Sequence, residues 1–212
     1  MSNGRLRGSV SVVYFPGMPF AYYQKLNAHQ KRIYRASDQV DRINLPRTDE
    51  IYRIGELIDA LERALAAGDR ARTEHAAQAL TDRLTEVLKV TSLRIKVLRR
   101  RPSWETGELH GLYEPGEDGV HRVSVWMRTA QRAQVVKFKT FLRTLLHELC
   151  HHLDYERLQL EESFHTEGFY KRESSLVREL FASRTSNGTL DAAPPAPGRP
   201  RGRGANPESL DS

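Results

Sequence analysis

Apolar residues recur at every third or fourth position along two long stretches of the chain, which is the spacing of amphipathic helices. The first stretch covers residues 50–90, and Gly68 with Asp69 interrupts it between two apolar faces. A stop and restart of this kind predicts an antiparallel helical hairpin. The second stretch covers residues 138–153 and predicts one long helix whose apolar side faces the core. Residues 21–40 are more polar but are also predicted to be helical.

Between the two long stretches the period changes from helical to alternating, which predicts β-strands with one buried face. Three such segments are present, at residues 93–98, 109–113 and 120–126. The last two are separated by Glu114-Pro115-Gly116-Glu117-Asp118-Gly119, a turn-forming sequence. We therefore expect an α+β fold in which a small, mainly antiparallel sheet precedes the long helix.

The predicted long helix carries the sequence His147-Glu148-Leu149-Cys150-His151, an H-E-x-x-H motif. Residues four apart lie one turn apart on the same helix face, so His147 and His151 can direct two imidazole nitrogens at one metal ion. Glu148 lies about 100° round the helix, where it can hold a water that the metal activates. Cys150 occupies a free position of the motif and is expected to be a small buried apolar residue.

Catalytic zinc sites usually have three protein ligands and one open position, so a third ligand is expected after the motif. His165 is the best candidate, because it directly precedes a second helical pattern that starts near Phe169. A histidine at the entrance of a helix is held in a defined position. A carboxylate would give a site with two histidines and one carboxylate instead, and the candidates are Glu161, Glu162, Glu167 and Glu173.

The motif and the segment that follows it resemble a known family, the SprT-like zinc metallopeptidases. The segment reads His165-Thr166-Glu167-Gly168-Phe169-Tyr170-Lys171, and the third ligand of that family lies in a similar stretch. The resemblance implies a peptidase that carries one Zn2+ ion and acts on protein or peptide substrates. Its implied metal ligands are His147, His151 and His165, and its implied general base is Glu148.

The resemblance covers residues 109–181, which are the predicted later strands and the last two helices. Thr166 stands where the family often has glycine, whereas the four-residue step from His165 to Phe169 is kept. The resemblance implies a minimal zincin-like core, in which a small sheet lies beside the motif helix and its edge strand pairs with an extended peptide. Residues 120–127 are our candidate for that edge.

Several polar side chains near the motif are candidates for roles beside the metal. Asp154 follows His151 by three residues and either orients a ligand ring through a hydrogen bond or lies in solvent at the end of the helix. Tyr170 is a candidate for supporting the ligands or for stabilising an oxyanion, and Tyr155 and His152 are further oxyanion candidates. The histidines expected to be structural or exposed are His75, His110 and His121.

The composition is that of a globular protein with one compact domain and an appendage. Of the 212 residues, 39% are hydrophobic, and 33 basic residues against 27 acidic ones give a net charge of +6. This excess permits contact with nucleic acid through a basic surface. The single cysteine excludes the four-cysteine zinc ribbon of many SprT-like proteins and fits a reducing compartment. Since every apolar run is too short to span a bilayer, no membrane partner and a cytoplasmic localisation are expected.

Three regions are predicted: an N-terminal arm and helical scaffold in residues 1–91, a zincin-like metallopeptidase core in 92–185, and a disordered tail in 186–212. The tail is rich in Pro, Gly and Ala and has few large apolar residues. Its segment Gly198-Arg199-Pro200-Arg201-Gly202-Arg203 resembles the AT-hook, an arginine segment that lies in the minor groove of DNA. The tail therefore makes DNA a candidate partner.

Two classes of function are consistent with these patterns. The first is zinc-dependent hydrolysis of peptide bonds, in which Glu148 takes a proton from the attacking water and passes it to the leaving amine. The second is a non-catalytic metal-containing protein that binds DNA or another partner. Glu148 favours the first class, because a purely structural metal site has no need of a base beside the metal.

Overall fold

The computed structural model shows an α+β protein with a small mixed sheet. It describes residues 20–45, 49–104, 107–116 and 119–190, and of residues 49–52, 183 and 185–190 it describes the backbone only. The N-terminal arm before Phe20 and the predicted tail beyond Leu190, with its AT-hook-like segment, lie outside these residues. Among the described helices, none combines the length and the hydropathy that a membrane span requires.

Helices account for most of the described chain. They are a 3-10 turn at Ala21–Lys25 and the α-helices α1 (Ala28–Asp38), α2 (Asp49–Ala66), α3 (Arg70–Leu88), α4 (Phe138–Glu156) and α5 (Glu167–Leu190). The predicted helical hairpin is confirmed as α2 and α3, which pack against each other. The predicted motif helix is confirmed as α4. Helix α5 continues to Leu190, past Ser186, where the sequence predicts that the tail begins.

The hairpin turns where the sequence predicts, and local chemistry explains the turn. Gly68 has a positive φ of 68°, a conformation that glycine adopts without the steric cost of a side chain. Asp69 caps α3, because its side-chain carboxylate accepts a hydrogen bond from the Arg72 backbone N–H at 3.1 Å. The end of one helix and the start of the next are thus fixed by two adjacent residues.

The sheet contains three strands in the spatial order β1–β5–β4, and two further short strands form a separate hairpin. The strands are β1 (Leu93–Arg100), β2 (Ser103–Trp104), β3 (Gly107–Glu108), β4 (Gly111–Glu114) and β5 (His121–Arg128). Strand β1 runs parallel to β5, whereas β4 runs antiparallel to it. The prediction of a mainly antiparallel sheet is therefore wrong, because the chain crosses over through the β2–β3 hairpin and β4 before β5 pairs with β1.

Strand β5 lies in the centre of the sheet, so the prediction that residues 120–127 form the substrate-binding edge is wrong. Residues 123–127 are all buried, because β5 has a strand on each side and α4 packs against it. An apolar run interrupted only by Ser124 is typical of a strand that is covered on both faces. Strand β4 takes the edge position instead.

The outer edge of β1 is covered by side chains of α3. The backbone N–H groups of Ile95 and Val97 donate to Gln78 Oε1 and Glu74 Oε2, both at 2.8 Å. Gln78 Nε2 also donates to the carbonyl of Leu93 at 2.7 Å. These hydrogen bonds satisfy the groups with which another strand would pair. Strand β4 is therefore the edge of the described sheet that can accept an extended segment.

One hydrophobic core joins the helical hairpin to the later helices. It contains buried side chains from α2, α3, β1, β5, α4 and α5, among them Ile58, Leu80, Val125, Leu142 and Leu176. The predicted boundary between residues 91 and 92 therefore separates two sequence patterns that share the same core. Helix α4 packs against both the sheet and α5, so its position is fixed from two sides.

A buried ion pair connects α5 to α4 and to the end of α1. Arg172 is fully buried, and its Nη2 donates to Asp154 Oδ1 at 2.7 Å and to Ser37 Oγ at 3.0 Å. Its Nη1 donates to the carbonyls of Ser37, at 2.6 Å, and of Val40. A single guanidinium thus fixes three parts of the chain around the motif helix.

Replacing Arg172 with methionine is expected to lower the free energy of unfolding by about 3–5 kcal/mol, because the buried carboxylate of Asp154 loses its counter-charge. Urea denaturation of the metal-free protein measures this change. The double variant R172M/D154N should recover part of the loss, since neither charge then remains. If R172M stays within about 1 kcal/mol of the parent, the ion pair contributes little to stability.

Candidate metal centre

Three histidines converge where α4 faces the start of α5. His147 and His151 lie one turn apart on α4, as the motif predicts, and His165 comes from the loop before α5. The Nε2 atom of His165 lies 3.0 Å from that of His147 and 3.0 Å from that of His151. One ligand atom from each residue lies within 4.8 Å of the other two. The structure thus brings the three predicted ligands together.

The position of His165 is set by residues on both sides of it. Thr166 is buried and caps α5, since its Oγ1 accepts a hydrogen bond from the Phe169 backbone N–H at 3.0 Å. The Tyr22 hydroxyl donates to the backbone carbonyl of His165 at 3.0 Å. The ring of Tyr170 stacks on the imidazole with 5.8 Å between centroids. The threonine that departs from the SprT-like pattern therefore has a defined role as a helix cap.

The outer ring nitrogens of two histidines are hydrogen-bonded, and these bonds assign the tautomers. His147 Nδ1 donates to Glu173 Oε2 at 2.9 Å, because a carboxylate can only accept and the proton must be on the nitrogen. Ser163 Oγ lies 2.7 Å from His151 Nδ1 and donates its own hydrogen to Asp154 Oδ2 at 2.7 Å. His151 Nδ1 therefore also carries a proton. The Nε2 atoms of both rings are left with lone pairs.

These two lone pairs point toward the Nε2 atom of His165, an arrangement that suits a cation between the rings. A proton on that atom can satisfy one neighbour at a time, whereas a metal ion accepts electron pairs from all three nitrogens. Nitrogens that bind one zinc ion at ~2.0–2.1 Å in tetrahedral geometry lie about 3.3–3.4 Å apart. The observed separations of 3.0 Å are close to this value. The residues present therefore fit zinc with three imidazole ligands and an open fourth position.

No protein-family model, curated protein or solved structure matches this chain. Membership of the SprT-like family therefore stays a prediction. The interpretation of the metal centre depends on the protonation and the hydrogen bonds of its own residues.

Burial disfavours protonation of two of the candidate ligand histidines. Burial, with a smaller contribution from His147, lowers the pKa of His165 to about 3. Burial also lowers the pKa of His151 well below its usual range, and the two neighbouring histidines act in the same direction. Since a metal ion binds the neutral imidazole, these shifts favour metal binding over protonation at neutral pH.

The four glutamates that the sequence offers as alternative third ligands have other partners. These partners are His29 for Glu161, Gln30 for Glu162, Lys171 for Glu167, and His147 with Arg143 for Glu173. Glu173 comes nearest to the centre, but it holds a ligand ring from behind. The sequence offers Glu173 as a possible ligand, and its contact with the outer nitrogen of His147 was not predicted. The signal that could have placed it is its helical step of four residues from Phe169, whose ring contacts the histidine cluster.

Asp154 acts on a ligand ring through an intermediate residue. The prediction is a direct hydrogen bond to the ring of His151, whereas the structure places Ser163 between the two side chains. Burial raises the pKa of Asp154, while Arg172 and the hydrogen bond from Ser163 counteract part of the shift. Because Asp154 is fully buried, the alternative of a solvated aspartate at the helix end is wrong. The sequence does not single out Ser163 as the partner of His151, since serines are common in loops.

Glu148 lies next to the histidines, between α4 and the edge strand β4. It is almost fully buried, and burial raises the pKa of its carboxyl to about 7. The nearby His147 and a backbone hydrogen bond from Tyr113 counteract part of this shift. A carboxyl group whose pKa is near neutrality is well suited to accept a proton and then return it, as general acid–base catalysis requires.

Strand β4 approaches Glu148 so closely that only glycine fits at its first position. A Cβ atom added at Gly111 would lie 2.3 Å from Glu148 Oε1 and 2.8 Å from Glu148 Cδ, far inside the normal contact distance between non-bonded atoms. Any side chain at this position would displace the carboxyl group. The sequence contains a signal for this contact, because glycine inside a strand often marks the close approach of another group.

Of the three residues predicted to stabilise an oxyanion, one lies at the metal centre and two lie beside Tyr113. Tyr170 stacks on a ligand ring and therefore lies at the metal centre. His152 is fully buried, with Nε2 bonded to the carbonyl of Thr91 at 2.8 Å and Nδ1 to the hydroxyl of Tyr113 at 3.2 Å. Its suggested contact with a substrate is therefore wrong. Tyr155 stacks on Tyr113, away from the ligand rings.

The remaining candidates lie outside the three-histidine cluster of the described residues. His75 is exposed on α3, His110 is partly buried just before β4, and His121 lies 3.1 Å from the hydroxyl of Tyr113. Cys150 is buried, as predicted. Burial raises the pKa of its thiol well above the usual range, so it is not a nucleophile at neutral pH.

Replacing Glu173 with alanine is expected to weaken zinc binding by about 10–100-fold, the usual effect of removing the hydrogen-bond partner of a ligand histidine. Glu173→Gln keeps an acceptor for His147 and should lose less. Competition for zinc against a chromophoric chelator measures both affinities. The matched control is Glu86→Ala, which removes an exposed carboxylate on α3. Equal losses in the two alanine variants would contradict a role for Glu173 at the metal centre.

Proposed function

We propose that this chain is a zinc-dependent metallopeptidase that hydrolyses peptide bonds, with Glu148 as general base. The observation that carries the proposal is the convergence of three imidazole Nε2 atoms beside a buried carboxyl group. Hydrogen bonds behind two of the rings fix them in the tautomer that binds a metal. A purely structural metal site would have no use for the carboxyl group.

The residues of the centre divide the proposed reaction among three roles. His147, His151 and His165 would hold a zinc ion, which would supply the Lewis acidity needed to polarise a carbonyl and activate water. Glu148 accepts a proton from the attacking water and then donates it to the leaving amine. Tyr170 is the residue proposed to stabilise the negative charge that develops on the carbonyl oxygen.

Strand β4 is the part of the sheet that we propose for substrate pairing. It is the edge of the described sheet that α3 leaves uncovered, and Gly111 at its start contacts Glu148. An extended peptide that pairs with β4 would present its backbone beside the general base. This is the arrangement expected of a zincin-like core, with β4 in place of the edge that the sequence suggested.

DNA stays a predicted partner, since the arginine segment of the tail lies outside the described residues. The net charge of +6 is compatible with such a contact. A non-catalytic DNA-binding protein is the alternative function, and the buried carboxyl group of Glu148 favours hydrolysis over it.

Metal removal tests the proposal. The purified chain should contain about one zinc ion and should hydrolyse casein. Dialysis against a chelator should abolish hydrolysis, and stoichiometric zinc should restore it, because the ligands reassemble around the ion. Hydrolysis that survives complete removal of the metal would refute the proposed function, and so would the absence of hydrolysis in fully loaded protein.

A further inference from the structure

We propose that a basic groove beside the metal centre binds an acidic residue of the peptide substrate. The inference depends on the proposed peptidase function and adds a substrate class to it. The groove has a volume of about 330 Å³. Its charged and aromatic lining residues are Asp41, Arg42, Arg143, Tyr170, Lys171 and Arg178.

The groove adjoins the metal centre through two of its lining residues. Arg143 lies four residues before His147 on the same face of α4. It is therefore ~6 Å closer to the N-terminus of the helix. Tyr170 lines the groove and also stacks on the ring of His165. An extended peptide advances ~3.3–3.6 Å per residue. A substrate side chain about two residues from the cleaved bond therefore reaches the groove.

The charge of the lining favours an anion. Arg143 and Lys171 each pair with a glutamate outside the lining, so part of their charge is compensated. Arg42 and Arg178 are exposed and form no ion pair with a described residue. Asp41 is the acidic member of this lining, which leaves an excess of positive charge. A guanidinium binds a carboxylate through two parallel hydrogen bonds, so Asp or Glu of a substrate suits this groove.

The size and shape of the groove favour a side chain over a nucleic acid. The volume of about 330 Å³ lies at the lower end of the range for small-ligand pockets. A specific DNA interface buries about 1,000–2,500 Å² of protein surface, along which basic residues follow the phosphate backbone. Here the cations surround one concavity and come from the segment after α1, from α4 and from α5. DNA binding is therefore the competing outcome of the test.

Binding can be measured without cleavage on the zinc-loaded Glu148→Gln variant. The probes are otherwise neutral, fluorescein-labelled peptides that each carry one glutamate at a different position. For every position, a peptide with glutamine in place of that glutamate serves as the reference. At one position the glutamate peptide should bind about tenfold more tightly than its glutamine counterpart. The advantage should shrink in about 1 M salt, because exposed charges are screened. Equal affinities at every position, or no peptide binding, would overturn the inference.

A charge-reversal variant assigns the effect to the groove. Arg42→Glu/Arg178→Glu should lose the preference for the glutamate peptide. The matched control Arg94→Glu/Lys96→Glu changes the net charge equally on the exposed face of β1, and it should keep the preference. An unchanged preference in the groove variant would mean that the acidic residue of the peptide binds elsewhere, which would overturn the inference. A DNA duplex that binds the parent but not the groove variant, with no peptide discrimination, would make the groove a nucleic-acid site and overturn the inference.

Cleavage of the same peptides by the parent protein separates this inference from the proposed function. Cleavage of neutral and acidic peptides with equal kcat/KM would leave the peptidase proposal intact and sink the acidic preference. Glutamate-dependent binding without any cleavage would support the acidic preference of the groove and refute the proposed peptidase function. The two proposals therefore fail in different ways.

Discussion

The Glu148→Gln variant is expected to lose about 10²–10⁴-fold in peptide hydrolysis while it keeps its bound zinc. Glutamine has the same shape and can still accept the hydrogen bond from the Tyr113 backbone, so the buried position is not disturbed. The amide cannot take a proton from water, and this proton transfer is the step that the carboxylate serves. Initial rates on a quenched fluorescent peptide, with zinc content measured on the same preparation, test the expectation.

The matched control is Glu156→Gln, the same substitution about two turns further along α4. The side chain of Glu156 lies 3.5 Å from His121 and takes no part in the metal centre. This control should keep both zinc and activity. If Glu148→Gln retains more than about a tenth of the parent rate with zinc in place, another group is the base.

The His165→Ala variant is expected to lose both zinc and activity. It removes one of three ligands, so zinc affinity should fall by more than the ~10–100-fold that accompanies loss of an outer hydrogen bond. The fold should persist, because the loop is held by the cap from Thr166 and by the hydroxyl of Tyr22. Zinc content after dialysis and the circular dichroism spectrum measure the two effects separately.

His75→Ala is the control for removal of a histidine, since this residue is exposed on α3. It should bind zinc like the parent. The same experiment decides between imidazole and carboxylate as third ligand. Zinc retained in His165→Ala but lost on replacement of Glu161, Glu162, Glu167 or Glu173 by glutamine would assign the third position to that carboxylate.

The convergence of the three histidines was predictable because their spacing is local. His147 and His151 lie one helical turn apart, and periodicity alone shows that the segment is a helix. His165 precedes the next helical pattern, so its approach to the motif required only that the two helices pack against each other. The structure agrees with these inferences because each depends on residues close in sequence.

The order of the strands was not predictable in the same way. Pairing between β1 and β5 joins Leu93 to His121, and no local period specifies such a distant partner. The alternation within residues 120–126 suggested a half-exposed strand, but the nearly continuous apolar run of residues 123–127 is the pattern of a central strand. That run is the stronger indicator of where the strand lies in the sheet.

The residues that support the ligands were the hardest to foresee. Arg172 reaches Asp154 from another helix, and Ser163 lies between a carboxylate and a ligand ring. Gly111 leaves room for the carboxyl group of Glu148, because any side chain at this position would collide with it. Contacts of this kind depend on the packing of α4 against α5 and β4, which the sequence pattern does not specify.

The hydrogen bonds behind His147 and His151 have a consequence for zinc supply. Both rings are preorganised by Glu173 and Ser163, and the core that reaches them through Phe169 is built from apolar side chains. Uptake of the ion should therefore proceed with little change in heat capacity, unlike a zinc finger, whose folding depends on its metal. Under the proposed function, a cell short of zinc would then hold the chain as a folded reserve that becomes active once the ion returns.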